Sequence, residues 1–258
     1  LADLGFHTLA IDWRGQGLAD RMLEDRRAGH VNLFRDYQHD VAAMLAAADR
    51  LDLPRPLYMI AHSMGAGIGL RALIEGLPVA AAGFTGPMWG IRLAAALRPA
   101  AWALGWSSAR FGLGHMYAPS TGPASYVATA LFDGNLLTRD RDGWAYMQRQ
   151  VNEIPELQLG GPSMRWLHEA LGEFLALARL PAPQVPAVTF VGSNERIVDV
   201  PRIASRMAAW PGGALETIRD GEHEVLMEDA VTRGRILSRM ASVFEEARTD
   251  AGRQSMIA

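Results

Sequence analysis

The chain has 258 residues, 49% hydrophobic and 21% charged, with a net charge of −3 and no cysteine. That length suits one large α/β domain or a domain with an insertion, and the apolar content supports a sizeable core and argues against disorder. The absence of a basic stripe argues against a nucleic-acid partner, and the absence of cysteine excludes disulfides, thiol catalysis and cysteine-based metal centres.

All 25 basic residues are arginine, so Schiff-base and phosphate-loop lysines are excluded too. The longest apolar stretch, Leu93 to Trp106, is broken by Arg98-Pro99, too short for a transmembrane helix. The chain opens on Leu1, in what reads as the tail of a helix, LADLGF. An upstream segment is therefore expected to be missing.

Gly5 is the expected C-cap of that opening turn. Phe6 to Ile11, FHTLAI, is apolar and β-rich and predicts a strand, followed by a glycine-rich loop at Asp12-Trp13-Arg14-Gly15-Gln16-Gly17. An arginine-rich surface stretch is expected to run to about Asn32. Phe34 to Leu51 repeats apolar residues at helical spacing through Tyr37, Val41, Met44, Leu45 and Ala48. Leu57 to Ala61 is short and apolar, with Pro54 and Pro56 before it, and predicts a buried strand. Met64 to Glu75 then predicts a helix, and Val79 to Thr85 a strand ending at Gly86-Pro87.

From Met88 to Leu180 strand-like runs disappear, and helical segments alternate with Gly/Pro loops. Five of the seven tryptophans fall here: Trp89, Trp102, Trp106, Trp144 and Trp166. The sheet pattern returns with a strand at Ala187 to Val191, a helix from Pro201 to Trp210 and a strand at Ala214 to Ile218. A turn at Asp220-Gly221 follows, then a last helix from Leu226 to Arg248. Strands alternating with helices predict a mostly parallel sheet.

The stretch Leu57 to Leu70, LYMIAHSMGAGIGL, reads as strand, sharp turn and helix with Ser63 at the turn, the context of a nucleophile elbow. Small residues flank the turn: Gly65 two positions after Ser63 and Ala61 two before, where the pattern G-x-S-x-G has its first glycine. The backbone N–H of Met64 would supply one oxyanion donor, with the helix dipole behind it. An ordinary βα turn with a capping serine is the competing reading.

An acid and a histidine should then follow later strands, in that order. Of the seven histidines only His223 follows a late strand; His62, as a neighbour in the turn, should point away. Glu195, three residues past Gly192, is the favoured acid. Asp199 is the alternative, although its place before a helix also suits an N-cap. Glu222 and Glu224 are expected to be solvated. No His-x-x-x-His or carboxylate cluster has ligand spacing, so no metal and no cofactor is expected.

These segments, with Thr85-Gly86-Pro87-Met88, Gly192 to Asp199 and Gly221-Glu222-His223-Glu224-Val225-Leu226-Met227-Glu228, resemble the α/β-hydrolase superfamily, in the branch of bacterial lysophospholipases and monoacylglycerol lipases. Leu137-Thr138-Arg139-Asp140 and Pro155-Glu156-Leu157 are similar to that branch's lid. The resemblance implies an α/β-hydrolase core over residues 1–87 and 181–258 with a helical lid insertion over 88–180. It implies a serine carboxylic-ester hydrolase for lysophospholipid or monoacylglycerol substrates, working through an acyl-enzyme. Ser63, Glu195 and His223 would be the triad, and Met88, Trp89 and Trp166 would contact substrate.

The expected partner is a small lipid ester, with transient contact at a membrane surface and a cytoplasmic or membrane-peripheral location. The family places a strand ending in His-Gly, the source of the second oxyanion N–H, ahead of the opening helix and in the middle of the sheet. Residues 1–5 hold no such dipeptide, so the N-terminal strands, including the oxyanion strand, are expected to be missing. Another serine hydrolase of the same fold, such as a peptidase or general esterase, and a catalytically impaired fragment or binding protein are the alternatives.

Overall fold

Four short apolar runs become the strands of one sheet. They are β1 (Tyr58–His62), β2 (Ala81–Thr85), β3 (Ala187–Gly192) and β4 (Gly213–Ile218) in a computed structural model that describes residues 1–92, 107 and 110–255. The order is β1-β2-β3-β4 and every pair is parallel, with His62 opposite Thr85 and Gly192 opposite Ile218. All four carboxyl ends therefore lie along one edge, where α/β sheets build their sites.

The helices that connect and cover them are α1 (Tyr37–Arg50), α2 (Ser63–Ile74), α3 (Tyr126–Thr129), α4 (Arg141–Glu153), α5 (Met164–Arg179), α6 (Val200–Ala208) and α7 (Ala230–Ser255). None among the described residues is long and apolar enough to cross a membrane.

Successive residues of β3 face opposite ways. Ala187 and Val191 belong to the cluster with Tyr37, Ile68, Leu70, Phe84, Trp89, Phe174 and Trp210; Val188 and Phe190 belong to the one with Ile236, Met240 and Phe244. A sheet buried on both faces calls for near-continuous apolar strands rather than alternation, and β2 and β3 are buried at every position.

Helix α5 lies late in the 88–180 segment, yet its Ala170, Phe174 and Leu177 enter the first cluster. It is also tied to α2. Arg71 donates to Glu173 at 2.6 Å from Nε and 3.0 Å from Nη2, with both side chains under a tenth exposed. A two-pronged pair satisfies both buried charges at once.

Two expectations need correction. Phe6 to Ile11 is not a strand: among the described residues the sheet holds the four runs above, and this segment is not one of them. Apolar β-rich sequence makes a strand only where a neighbour completes its ladder, and this segment has none among the described residues. It is held instead by Phe6, edge-on to Tyr58 and Phe244 with ring centroids 5.8 Å apart in each case.

The stretch before Asn32 is not all surface. Ala28 and Val31 are buried, and so is His30, whose Nδ1 lies 2.8 Å from the Ser163 hydroxyl. Trp102 and Trp106 lie outside the described residues. Most other expected elements form with ends shifted by one or two residues; α1 starts at Tyr37 after a 3-10 turn at Phe34–Asp36, the last helix runs from Ala230 to Ser255 after a short turn at Val225–Met227, and β1, expected to be buried, is only half-buried along its length.

Candidate active site

β1 runs straight into α2, and the residue at the junction carries the strain of the reversal. Ser63 sits at φ 46, in the left-handed region that a residue with a Cβ occupies only when its surroundings hold it there. They do so here. The Met88 N–H donates to the Ser63 carbonyl at 2.9 Å, and His62 before it remains extended. Ser63 is the first residue of α2, so the Met64 N–H that follows is one of the helix-start donors with no partner inside the helix. A developing oxyanion near the Ser63 hydroxyl would face that N–H and the positive end of the α2 dipole.

The loops after β3 and β4 bring the other two predicted residues to the same place. His223 Nε2 lies 2.9 Å from Ser63 Oγ, and its Nδ1 lies 2.7 Å from Glu195 Oε2. With Nδ1 against a carboxylate, the proton belongs on Nδ1, and Nε2 is left to accept the serine O–H. The second oxygen of Glu195 accepts the backbone N–H groups of Ile197 at 2.7 Å and Val198 at 3.1 Å. Burial works to raise the Glu195 pKa, but the hydrogen bond and charge of His223 and those two N–H groups outweigh it. The carboxyl is held below its ordinary value.

Asp199, the alternative acid, sits at the start of α6 and accepts the Arg202 N–H at 3.3 Å, the N-cap role that its position suggested.

Two glycines make the geometry possible. Gly86, at φ +47 just past β2, would put a Cβ 3.0 Å from the His223 ring. Gly192 would put one 2.2 Å from the Gly221 carbonyl, so the Glu195 and His223 loops can meet only over a residue without a side chain.

The 88–180 segment also braces His223. The Leu136 carbonyl accepts the His223 N–H at 3.3 Å, and the Leu137 carbonyl accepts the Glu224 N–H at 2.8 Å. Asn135 folds that turn by accepting from the N–H groups of Leu137 and Thr138. Buried Glu228 accepts from the Thr138 hydroxyl at 3.1 Å and from the Glu222 N–H at 2.8 Å, joining the two segments. Composition and spacing gave no sign of these contacts; the only signal was the similarity of residues 137–140 to a lid.

Near the elbow, Trp13 stands over Gly65, where a Cβ would lie 3.5 Å from the indole nitrogen. The Gln16 amide donates to the Met64 sulfur at 3.2 Å. The glycine-rich loop thus forms one wall beside Ser63.

Three expectations about neighbours do not hold. His62 does not point away: its ring centroid is 4.8 Å from that of His223, its Nδ1 lies 2.9 Å from the Thr85 hydroxyl, and its Nε2 lies 3.0 Å from Glu224 Oε1. Because β1 stays extended through His62, the side chain projects along the sheet edge toward β2 and the His223 loop.

Glu224 is accordingly paired rather than solvated. Burial works to raise its pKa, yet the charge of His62 brings it below the ordinary value. For His62, burial works to lower the pKa, and the charge and contact of Glu224 raise it overall. Glu222 is buried and meets Arg196 at 3.1 Å.

His62, His223 and Glu224 are the one trio among the described residues whose ligand atoms come within 4.8 Å of one another, which their spacing in the chain does not announce. Both nitrogens of His223 are engaged by Ser63 and Glu195, and His62 faces Glu224.

The residues expected to touch substrate are spread out. Trp89 is buried among Phe84 and Trp210, its indole N–H donates to the Ala66 carbonyl at 3.1 Å, and Met88 is buried beside it. Trp89 also borders a cavity of about 720 Å3 between α5 and α6 that none of Ser63, Glu195 and His223 lines. Trp166 is half-buried, packed against Phe34, and donates to the Tyr37 hydroxyl at 3.2 Å.

The chain is similar to known proteins over most of its length. The chain is 32% identical to lysophospholipase L2 of Escherichia coli (strain K12) over 266 aligned residues, covering 99% of this chain and 77% of that protein. Its fold is similar to that of a soluble variant of monoglyceride lipase from Saccharomyces cerevisiae in complex with a substrate analogue, with TM-score 0.66, 19% identity, and 92% and 76% of the two chains covered. It is also similar to the monoacylglycerol lipase of Paleococcus ferrophilus, with TM-score 0.65, 12% identity, and 91% and 81% covered. These solved structures share the α/β-hydrolase fold expected from the sequence. The family profile described as serine aminopeptidase, S33, matches residues 1–230, and the chain belongs to that family of α/β-hydrolases.

Proposed function

We propose that the protein hydrolyses carboxylic esters of lipids of the lysophospholipid or monoacylglycerol type, with Ser63 as nucleophile, His223 as general base and Glu195 as its orienting acid. The observation that carries the reading is the unbroken chain from Ser63 Oγ through both nitrogens of His223 to Glu195 Oε2, at 2.9 and 2.7 Å. The strained φ of Ser63 supports it. The lysophospholipase L2 relative, covered over three-quarters of its length, supports the substrate class.

In the acylation step Ser63 Oγ bonds to the acyl carbonyl carbon while its proton passes to His223 Nε2. The carbonyl oxygen takes the negative charge and is met by the Met64 N–H. Collapse breaks the ester bond, and His223 returns the proton to the departing glycerol-side oxygen. Water then repeats the sequence on the acyl-enzyme and releases the fatty acid. Glu195 stays ionised throughout and stabilises the imidazolium.

Residues 88–180 are proposed to be the lid, anchored at its α5 end by Phe174 and Leu177 and carrying exposed Phe111 and Leu131, 72% and 79% accessible.

The test supplies the purified chain with lysophosphatidylcholine, monooleoylglycerol and an aminoacyl-p-nitroanilide, and measures released fatty acid and nitroaniline. Fatty-acid release that Ser63→Ala abolishes is expected. Release only from the anilide, as the family description would allow for a peptidase, would overturn the substrate assignment. Equal release by Ser63→Ala would overturn the nucleophile.

A further inference from the structure

The site contains a second histidine–glutamate couple that the mechanism above does not use. His62 directly precedes Ser63, and Glu224 directly follows His223; the two meet at 3.0 Å, with His62 also 2.9 Å from the Thr85 hydroxyl at the end of β2. The His62 and His223 rings lie 4.8 Å apart and are tilted by 56°. Two imidazoles, each with its own glutamate, thus stand side by side: Glu195 with His223, and Glu224 with His62.

We propose that the His62–Glu224 couple is a charge-balanced positioning pair that governs the pH at which His223 works as a base. The inference rests on the reading of His223 as that base.

The charges around His223 come from each element that packs on it. Glu195 approaches from the loop after β3, His62 from the end of β1, and Glu224 from its own loop. Glu222 is neutralised by Arg196, and Glu228 is occupied by Thr138, Arg139 and the Glu222 N–H. Gly86, beneath the ring, adds no charge. Glu224 is thus the carboxylate next to His223 whose balance depends on His62.

The shifts of the couple, His62 upward and Glu224 downward, favour the doubly charged form, which presents little net charge to His223. Removing either member unbalances it. Without His62, the Glu224 carboxylate favours the imidazolium of His223. Without Glu224, that favour is gone, and any charge left on His62 opposes it. At about 5 Å in a partly wet site, one unit charge moves a neighbour by roughly one pH unit.

The experiment measures kcat/KM against pH for the wild-type chain, His62→Gln, Glu224→Gln and the double variant, with a soluble p-nitrophenyl ester. The acid limb is expected to move up by about one unit in His62→Gln, down by about one in Glu224→Gln, and back toward wild type in the double. Limbs that all stay with wild type while kcat falls would leave the pair a purely structural role and overturn the proposal, as would shifts of one sign in both single variants.

The proton-NMR titration of the His223 ring is recorded in parallel and reads the same opposite shifts without turnover. It decides the matter for any variant too slow to assay. Absence of Ser63-dependent turnover in the wild-type chain would overturn the catalytic reading of the site, whereas unmoved His223 titrations in an active enzyme would overturn only the role of the pair.

Discussion

Arg71 of the elbow helix and Glu173 of α5 are joined by a bidentate ion pair, 2.6 and 3.0 Å long, with side chains only 9% and 5% exposed. The pair ties the helix that begins at Ser63 to the end of the 88–180 segment. Removing one partner of a buried pair strands the other charge, at a cost of about 3–5 kcal/mol. Glu173→Ala is expected to lower the melting temperature by about 2–4 °C for each kcal/mol. Calorimetry checks this, and a Glu173→Ala protein that melts with the wild type would refute it.

Gly86 allows the His223 ring to rest on the end of β2. An alanine there meets the ring at 3.0 Å and must also hold φ +47, so the ring must shift off Ser63. A misplacement of that order costs roughly 10²-fold in rate. Gly86→Ala should therefore lose kcat/KM by about that factor while keeping its far-ultraviolet circular dichroism.

Glu195 holds His223 in the tautomer that leaves Nε2 facing Ser63. Glu195→Gln removes the charge and the tautomer preference while nearly preserving shape, and a loss of roughly 10³- to 10⁴-fold in kcat is expected. Asp199→Asn keeps the cap on α6 and should leave kcat within a few-fold of wild type; steady-state kinetics on both variants distinguishes the two acids.

The His62–Glu224 contact gives stability a pH profile with two limbs. Glu224 is held below its ordinary pKa, so its share is present above the carboxylate range and is lost as pH falls through the depressed value. His62 is raised, so its share is full below the ordinary histidine pKa and is lost as pH rises through the raised value. The melting-temperature gap between the wild type and the double variant His62→Gln/Glu224→Gln should be widest between about pH 4.5 and 6.5 and should close on both sides. A gap independent of pH would contradict it.

Much of this site was legible in the chain because its signals are local. A short apolar run, a serine between small residues and a helix pattern describe an elbow wherever they occur, and Glu195 and His223 each follow a run that could only be a late strand. What stayed hidden depends on distant partners. FHTLAI has the apolar, β-rich composition of a strand, but a strand exists only with a neighbour, and local composition carries no information about one. His62 was expected to diverge from Ser63 as turn neighbours do, yet β1 remains extended through it and aims it at Glu224. The brace on His223 and Glu224 is made by the backbone carbonyls of Leu136 and Leu137, which any residue type possesses, and the Asn135 and Glu228 side chains that hold that turn do so partly through residues far away in the chain.

The central claim is that Ser63 is made nucleophilic by His223, and covalent labelling tests it most directly. The purified chain is treated with a fluorophosphonate, and the adduct is located by peptide mass spectrometry. A single adduct on Ser63, absent from Ser63→Ala and strongly slowed in His223→Ala, is the predicted result. An adduct elsewhere, or labelling of Ser63→Ala at the wild-type rate, would contradict the account.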